Sequence, residues 1–125
     1  MHLKFLIAAT ALLVPVAASA QTMNAENFLQ RANKLKAKGP MALFSRGEIK
    51  VLMNEGKTSF DASRRQRLAA VKVGKQPRYC PPEAPQKMGS DEFMNRLAAI
   101  PRSDRQLITM TEATTRILIA KFPCR

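Results

Sequence analysis

Imidazole, thiol and carboxylate chemistry in this 125-residue chain is limited to one histidine, two cysteines and nine carboxylate side chains. The histidine, His2, lies in an amino-terminal segment expected to be removed. Without it the chain has no Ser-His-Asp or Cys-His nucleophilic site, no imidazole acid/base and no histidine zinc ligand. A cysteine-only zinc site needs more thiols than Cys80 and Cys124 supply. Glu48 and Glu55 fall about two turns apart on one predicted helix, and Asp91 and Glu92 are adjacent, so their side chains diverge by about 100°. Neither arrangement implies two carboxyls converging across a cleft, as glycoside hydrolysis requires. A phosphate-cradling glycine loop and a Gly-x-Ser-x-Gly elbow are both absent. The expectation is a binding protein rather than an enzyme, with no cofactor and no metal.

The cations are the more pointed signal. From Ala62 to Pro82 no acid interrupts Arg64, Arg65, Arg67, Lys72, Lys75 and Arg78. If residues 64–75 stay helical, the first five span about 160° of arc and can present charge jointly to carboxylates or phosphates. Leu68 and Val71 project into the same sector, so a solvated helix whose long stems cover the core is the competing reading. The polar turn from Arg102 to Arg105 is a second candidate site for a partner. Nucleic acid is disfavoured, because one tyrosine and no tryptophan leave few stacking platforms and no helix-turn-helix or zinc module is evident.

The address is read from the amino terminus. One lysine in Met1–Lys4, an apolar run from Phe5 to Val16 and Ala18-Ser19-Ala20 follow the order of a secretory signal peptide, with cleavage expected before Gln21. The apolar run is shorter than the roughly 20 residues that a membrane-spanning helix needs. Removing 20 residues leaves 125 − 20 = 105, the size of a single domain, and takes away only Lys4 from 21 Lys+Arg, leaving 20 against 9 acids. A net charge of 20 − 9 = +11 concerns anionic partners and not the fold. Acidic proteins, anionic polymers and lipid head groups all qualify. In an oxidising periplasmic or extracellular setting, Cys80 and Cys124 read as one disulfide closing a loop of about 45 residues, with free thiols as the alternative.

Helical periodicity must position these groups. Phe28, Ala32 and Leu35 recur on one face between an Asn24 cap and the Gly39-Pro40 stop, predicting a helix over 24–38. A short apolar link, Met41 to Phe44, leads to Ser45 and Glu48 at capping-box spacing. The longest helix starts there, carries Ile49, Leu52, Met53, Gly56 and Phe60 as one stripe, and ends before Gly74 and Pro77. Gly56 reads either as a close approach to a neighbour or as a break. Three prolines in Tyr79–Pro85 suit an extended connector. Ser90 is expected to cap a helix bearing Phe93, Leu97 and Ile100, stopped by Pro101. Thr109 and Glu112 form a second capping box, before a last helix with Met110, Ala113, Ile117 and Ala120 buried. Met53, Met94 and Met110 read as adaptable core filling. With no strand alternation and no repeats, the fold class is all-α: a small single-domain bundle of about four helices stapled by one disulfide.

The layout of residues 79–125 resembles the Rap/Tai family of periplasmic immunity proteins associated with type VI secretion. The matching features are Tyr79-Cys80-Pro81, a capped amphipathic helix from Ser90, the Pro101 turn, and a last helix closed by Phe122-Pro123-Cys124. Family members are small helical proteins, often dimeric, that bind and block peptidoglycan-cleaving amidase toxins. The resemblance therefore implies inhibition by occlusion and makes Cys80 and Cys124 structural cysteines. Members commonly carry a further cysteine pair in the amino half, which this chain lacks, and residues 21–78 show no such match. An acidic protein partner, in particular a toxin, is the leading expectation, with a basic envelope module that binds anionic polymers or lipids as the alternative.

Overall fold

The computed structural model describes residues 22–125, so the expected signal segment and its cleavage point lie outside the described residues. The order is α1 (Ala25–Ala37), a 3-10 helix (Gly39–Phe44), α2 (Arg46–Lys72), α3 (Ser90–Ala99), the single-turn α4 (Arg102–Arg105) and α5 (Met110–Lys121). The protein is all-α, with no strand among the described residues beyond an isolated antiparallel bridge between Asn24 and Thr109. That bridge ties the starts of α1 and α5 together through hydrogen bonds from Ala25 N–H to Ile108 O and from Met110 N–H to Met23 O. No described helix is long and apolar enough to cross a membrane.

Local chemistry sets most helix ends. The Asn24 side chain accepts from the N–H groups of Glu26 and Asn27, and Gly39, at φ 54°, takes the left-handed conformation that lets the chain leave α1. Thr109 Oγ1 accepts from Glu112 N–H at 3.2 Å, although the Glu112 carboxylate turns away to Arg78 and Arg116 instead of completing the box. Two expected caps are corrected. Ser45 makes no side-chain cap bond: its backbone, at φ −102° and ψ 41°, is not extended as a capping residue's is, and its hydroxyl accepts from Lys38 Nζ, while the Glu48 carboxylate is held by Arg31. At α3 the N-cap is Gly89, and Ser90 is already the first helical residue.

The core gathers Phe28 and Leu29 of α1, Leu52 of α2, Phe93 and Leu97 of α3, and Met110, Ala113 and Ile117 of α5. Phe93 sits at its centre, edge-on to Phe28 at 6.2 Å and tilted against Phe60 at 5.5 Å. Leu97 is fully enclosed, so truncation to alanine removes about 2–5 kcal/mol. The most extensive helix contact is between α2 and α5, and its seam is small and polar. Ser59 and Ser63 of α2 and Thr114 and Thr115 of α5 are all buried; Ser63 and Thr115 hydroxyls bond to each other, and Ser59 Oγ donates to Glu55 O at 2.8 Å. Small side chains let the two helices approach while intrahelical carbonyls accept from Ser59 and Thr115; Thr114 Oγ1 has no hydrogen-bond partner among the described residues.

This seam corrects the expected stripe on α2. Met53 is 71% exposed, and the buried series runs Leu52, Ser59, Ser63. A Cβ at Gly56 would meet nothing within 4 Å, and the helix runs through the position unbroken, so neither reading of that glycine holds. On α5, Ala120 is exposed, whereas Thr114, Thr115 and Leu118 are buried. Cys80 and Cys124 form the disulfide, which fastens the carboxyl terminus to the extended connector, and Cys80 N–H donates to Phe122 O at 2.8 Å beside it.

Candidate functional site

Helix α2 is 27 residues long, about 40 Å at the α-helical rise. It carries seven cations (Arg46, Lys50, Lys57, Arg64, Arg65, Arg67 and Lys72) and three acids (Glu48, Glu55 and Asp61). The signs separate around the helix axis. Glu48 pairs with Arg31 of α1 at 2.5 and 2.7 Å, and Glu55 accepts from Met23 N–H, so the two carboxylates are engaged by α1 and by the segment just before it. Arg46, Lys50, Lys57, Arg64, Arg65 and Lys72 are exposed and fall within about 100° of arc on the opposite side. Asp61 is the one acid on that side.

Ion pairing is segregated in the same way. Arg31, Arg78, Arg96, Arg102, Arg105, Arg116 and Lys121 each have a carboxylate within 4 Å. None of the seven α2 cations does, among the described residues. Four of the paired carboxylates are held toward their charged form. A hydrogen bond from Arg105 keeps Glu26 below the usual carboxylate range, and those from Arg31, Lys121 and Arg78 do the same for Glu48, Glu92 and Glu112.

The basic site expected at 64–75 divides in three. Arg64, Arg65 and Lys72 lie on the solvent face of α2. Arg67 turns inward, half-buried, with its guanidinium carbon 5.6 Å from the Tyr79 ring centre. Lys75 does not continue the helical arc: α2 ends at Lys72, Gly74 is left-handed at φ 73°, and Lys75 N–H closes the helix end on Ala70 O at 2.9 Å. The sequence window also missed half the face, because Arg46, Lys50 and Lys57 are interleaved with acids that point elsewhere. Their spacing of four, seven and seven residues to Arg64 was the available signal.

The second candidate separates into two different residues. Arg102 is 67% exposed and 3.5 Å from Glu26, whereas Arg105 is 11% exposed, 2.6 Å from the same carboxylate, and donates to the carbonyls of Ala98 and Ile100. Arg105 ties α1 to the end of α3 and presents no charge to a partner.

Apolar side chains interrupt the α2 face. Leu68 is 46% and Val71 53% exposed among Arg64, Arg65 and Lys72, and at the other end Met41, Leu43 and Phe44 of the 3-10 helix join Met53 as exposed residues. Among the described residues no group of three or more His, Cys, Asp or Glu side chains is placed to hold a metal ion. No protein-family model, curated protein or solved structure matches the chain.

Proposed function

We propose that the protein binds and occludes an acidic protein partner through the exposed face of α2. The observation that carries this reading is the segregation of charge: every α2 cation stands outside the ion pairs found among the described residues, and six of them share one face about 40 Å long. An unpaired cationic row raises encounter rates with an acidic surface and fixes orientation. The apolar residues supply the part of an interface that excludes water. Leu68 and Val71 between Arg64, Arg65 and Lys72 make an apolar centre with a cationic rim, the composition of protein interfaces rather than of a face for bare polyanions.

Among acidic partners, peptidoglycan amidase toxins are the first to try. This rests on the resemblance of residues 79–125 to periplasmic immunity proteins, on an export signal read at residues 1–20, and on a disulfide suited to an oxidising compartment. The activity is inhibition by steric cover, and no turnover is assigned. The test is capture of candidate secreted toxins by the oxidised protein without residues 1–20, washed at low salt and then at about 0.5 M, where charge screening is short-ranged. A stoichiometric toxin complex that survives the wash and loses amidase activity supports the proposal. Retention only of anionic polymers or lipids, released by salt, overturns it in favour of an envelope-binding module.

A further inference from the structure

Five arginines are half-buried: Arg31, Arg67, Arg96, Arg105 and Arg116. Four of them have a carboxylate within 4 Å. Arg67 has none among the described residues, and its Nε, like that of Arg96, is closed off from solvent and meets no acceptor among them. A guanidinium carries five donors and does not lose its charge, so a half-buried one without a carboxylate is costly unless a ligand supplies the acceptor.

Arg67 lies at the wall of an open cleft of about 660 Å³, within the size range of small-ligand sites. Phe60, Tyr79 and Phe122 contribute aromatic surface, Arg64 and Lys87 add two further cations, and the extended Pro81–Pro85 segment forms one side. Asp61 and Glu83 also line the cleft, and Lys121 does so while paired to Glu92. Setting Lys121 aside, three cations face two acids, and neither acid pairs with Arg67. The Arg67 guanidinium carbon lies 5.6 Å from the Tyr79 ring centre, a cation–π contact that restricts where the side chain can go.

We infer that this cleft binds a carboxylate carried on an apolar body, with Arg67 as the recognition group. The carboxylate takes the Arg67 fork, assisted by Arg64 and Lys87, and the apolar body lies against the aromatic wall. The same chemistry is offered by a free small acid and by the carboxyl terminus of a protein chain. The site is separate from the Lys50 and Lys57 part of the α2 face and stands whether or not that face binds a toxin.

Tyr79 is the only tyrosine and the chain has no tryptophan, so tyrosine emission reports on this wall alone. The oxidised protein is titrated with 3-phenylpropionate and with its uncharged amide. A second arm uses an acetylated Gly-Gly-Phe peptide with a free carboxyl terminus and its amidated form. The carboxylate forms are expected to saturate the Tyr79 signal, and the amides to bind about tenfold or more weakly, the size of one charged hydrogen bond. Arg67→Gln abolishes the difference between acid and amide. Arg64→Gln, at an exposed position, weakens the acids with the melting temperature unchanged, so the test survives if Arg67→Gln does not fold. Tighter binding of the peptide assigns the site to a protein terminus, and tighter binding of phenylpropionate to a small acid. Lys50→Glu/Lys57→Glu leaves these titrations unchanged even if it abolishes toxin capture. Equal binding of acid and amide, or no Tyr79 response to either acid at millimolar concentration, overturns the inference.

Discussion

The carboxylate of Glu26, in the first turn of α1, accepts a 2.6 Å hydrogen bond from Nε of Arg105, and the two side chains are only 10% and 11% exposed. Removing the carboxylate leaves the Arg105 charge buried without a counter-ion, with only the carbonyls of Ala98 and Ile100 to accept from it. Glu26→Gln is expected to destabilise the fold by roughly 3 kcal/mol, measured by urea unfolding. Arg102 reaches the same carboxylate from solvent, so Arg102→Ala should change stability by less than about 0.5 kcal/mol. Equal effects of the two substitutions would remove Arg105 from its structural role.

Acid should unfold the protein in a defined window. Glu26, Glu48, Glu92 and Glu112 all have lowered pKa values in the folded chain, chiefly through hydrogen bonds from Arg105, Arg31, Lys121 and Arg78. The unfolded chain therefore binds protons more readily than the folded one, and stability falls as pH falls. The contribution is complete above the ordinary glutamate value of about 4.3 and is lost as pH drops through the folded values. Residues 22–125 contain no histidine, so circular-dichroism melts should be nearly flat from about pH 8 to 5 and fall steeply below about pH 4. A main transition near pH 6 would contradict this.

The Cys80–Cys124 bond closes a segment with a sequence separation of 44 and holds an extended, proline-rich connector that has no helix of its own. In the chain-entropy account a loop of this length is worth up to about 4 kcal/mol. Cys80→Ser/Cys124→Ser is expected to lose about 2–4 kcal/mol, which for a domain of this size lowers the melting temperature by at least about 10 °C. An unchanged melting temperature would show that packing of Tyr79 and Leu118 holds the connector without the bond.

Helix existence and ends were legible because their determinants are local: the Asn24 and Thr109 caps, Gly39, Gly74 and Pro101 act within a turn or two of themselves. What was not legible depends on distant partners. The Glu48 side chain does not complete its box because Arg31, 17 residues earlier, takes the carboxylate, and Arg105 leaves the surface because its carboxylate partner is 79 residues earlier. The α2–α5 seam escaped a search for apolar periodicity because it is made of serine and threonine. A window without acids found the carboxyl half of the basic face and missed Arg46, Lys50 and Lys57, whose neighbouring acids Glu48 and Glu55 face the other way. Arg67 was correctly placed in the basic run, but its contact with Tyr79 arises only when the connector folds back on α2.

The claim that the exposed face of α2 is the binding surface is tested most directly by charge reversal there. Lys50→Glu/Lys57→Glu/Arg64→Glu changes three exposed residues that no ion pair among the described residues uses, so the melting temperature should stay close to that of the parent. Affinity for the captured acidic partner is measured for this variant and, as a control elsewhere on the surface, for Lys34→Glu/Lys36→Glu. The account predicts at least about a 100-fold loss for the α2 variant, in the range seen when opposed charges in an interface become like charges, and little change for the control. Unchanged affinity of the α2 variant, or equal losses for both, would contradict it.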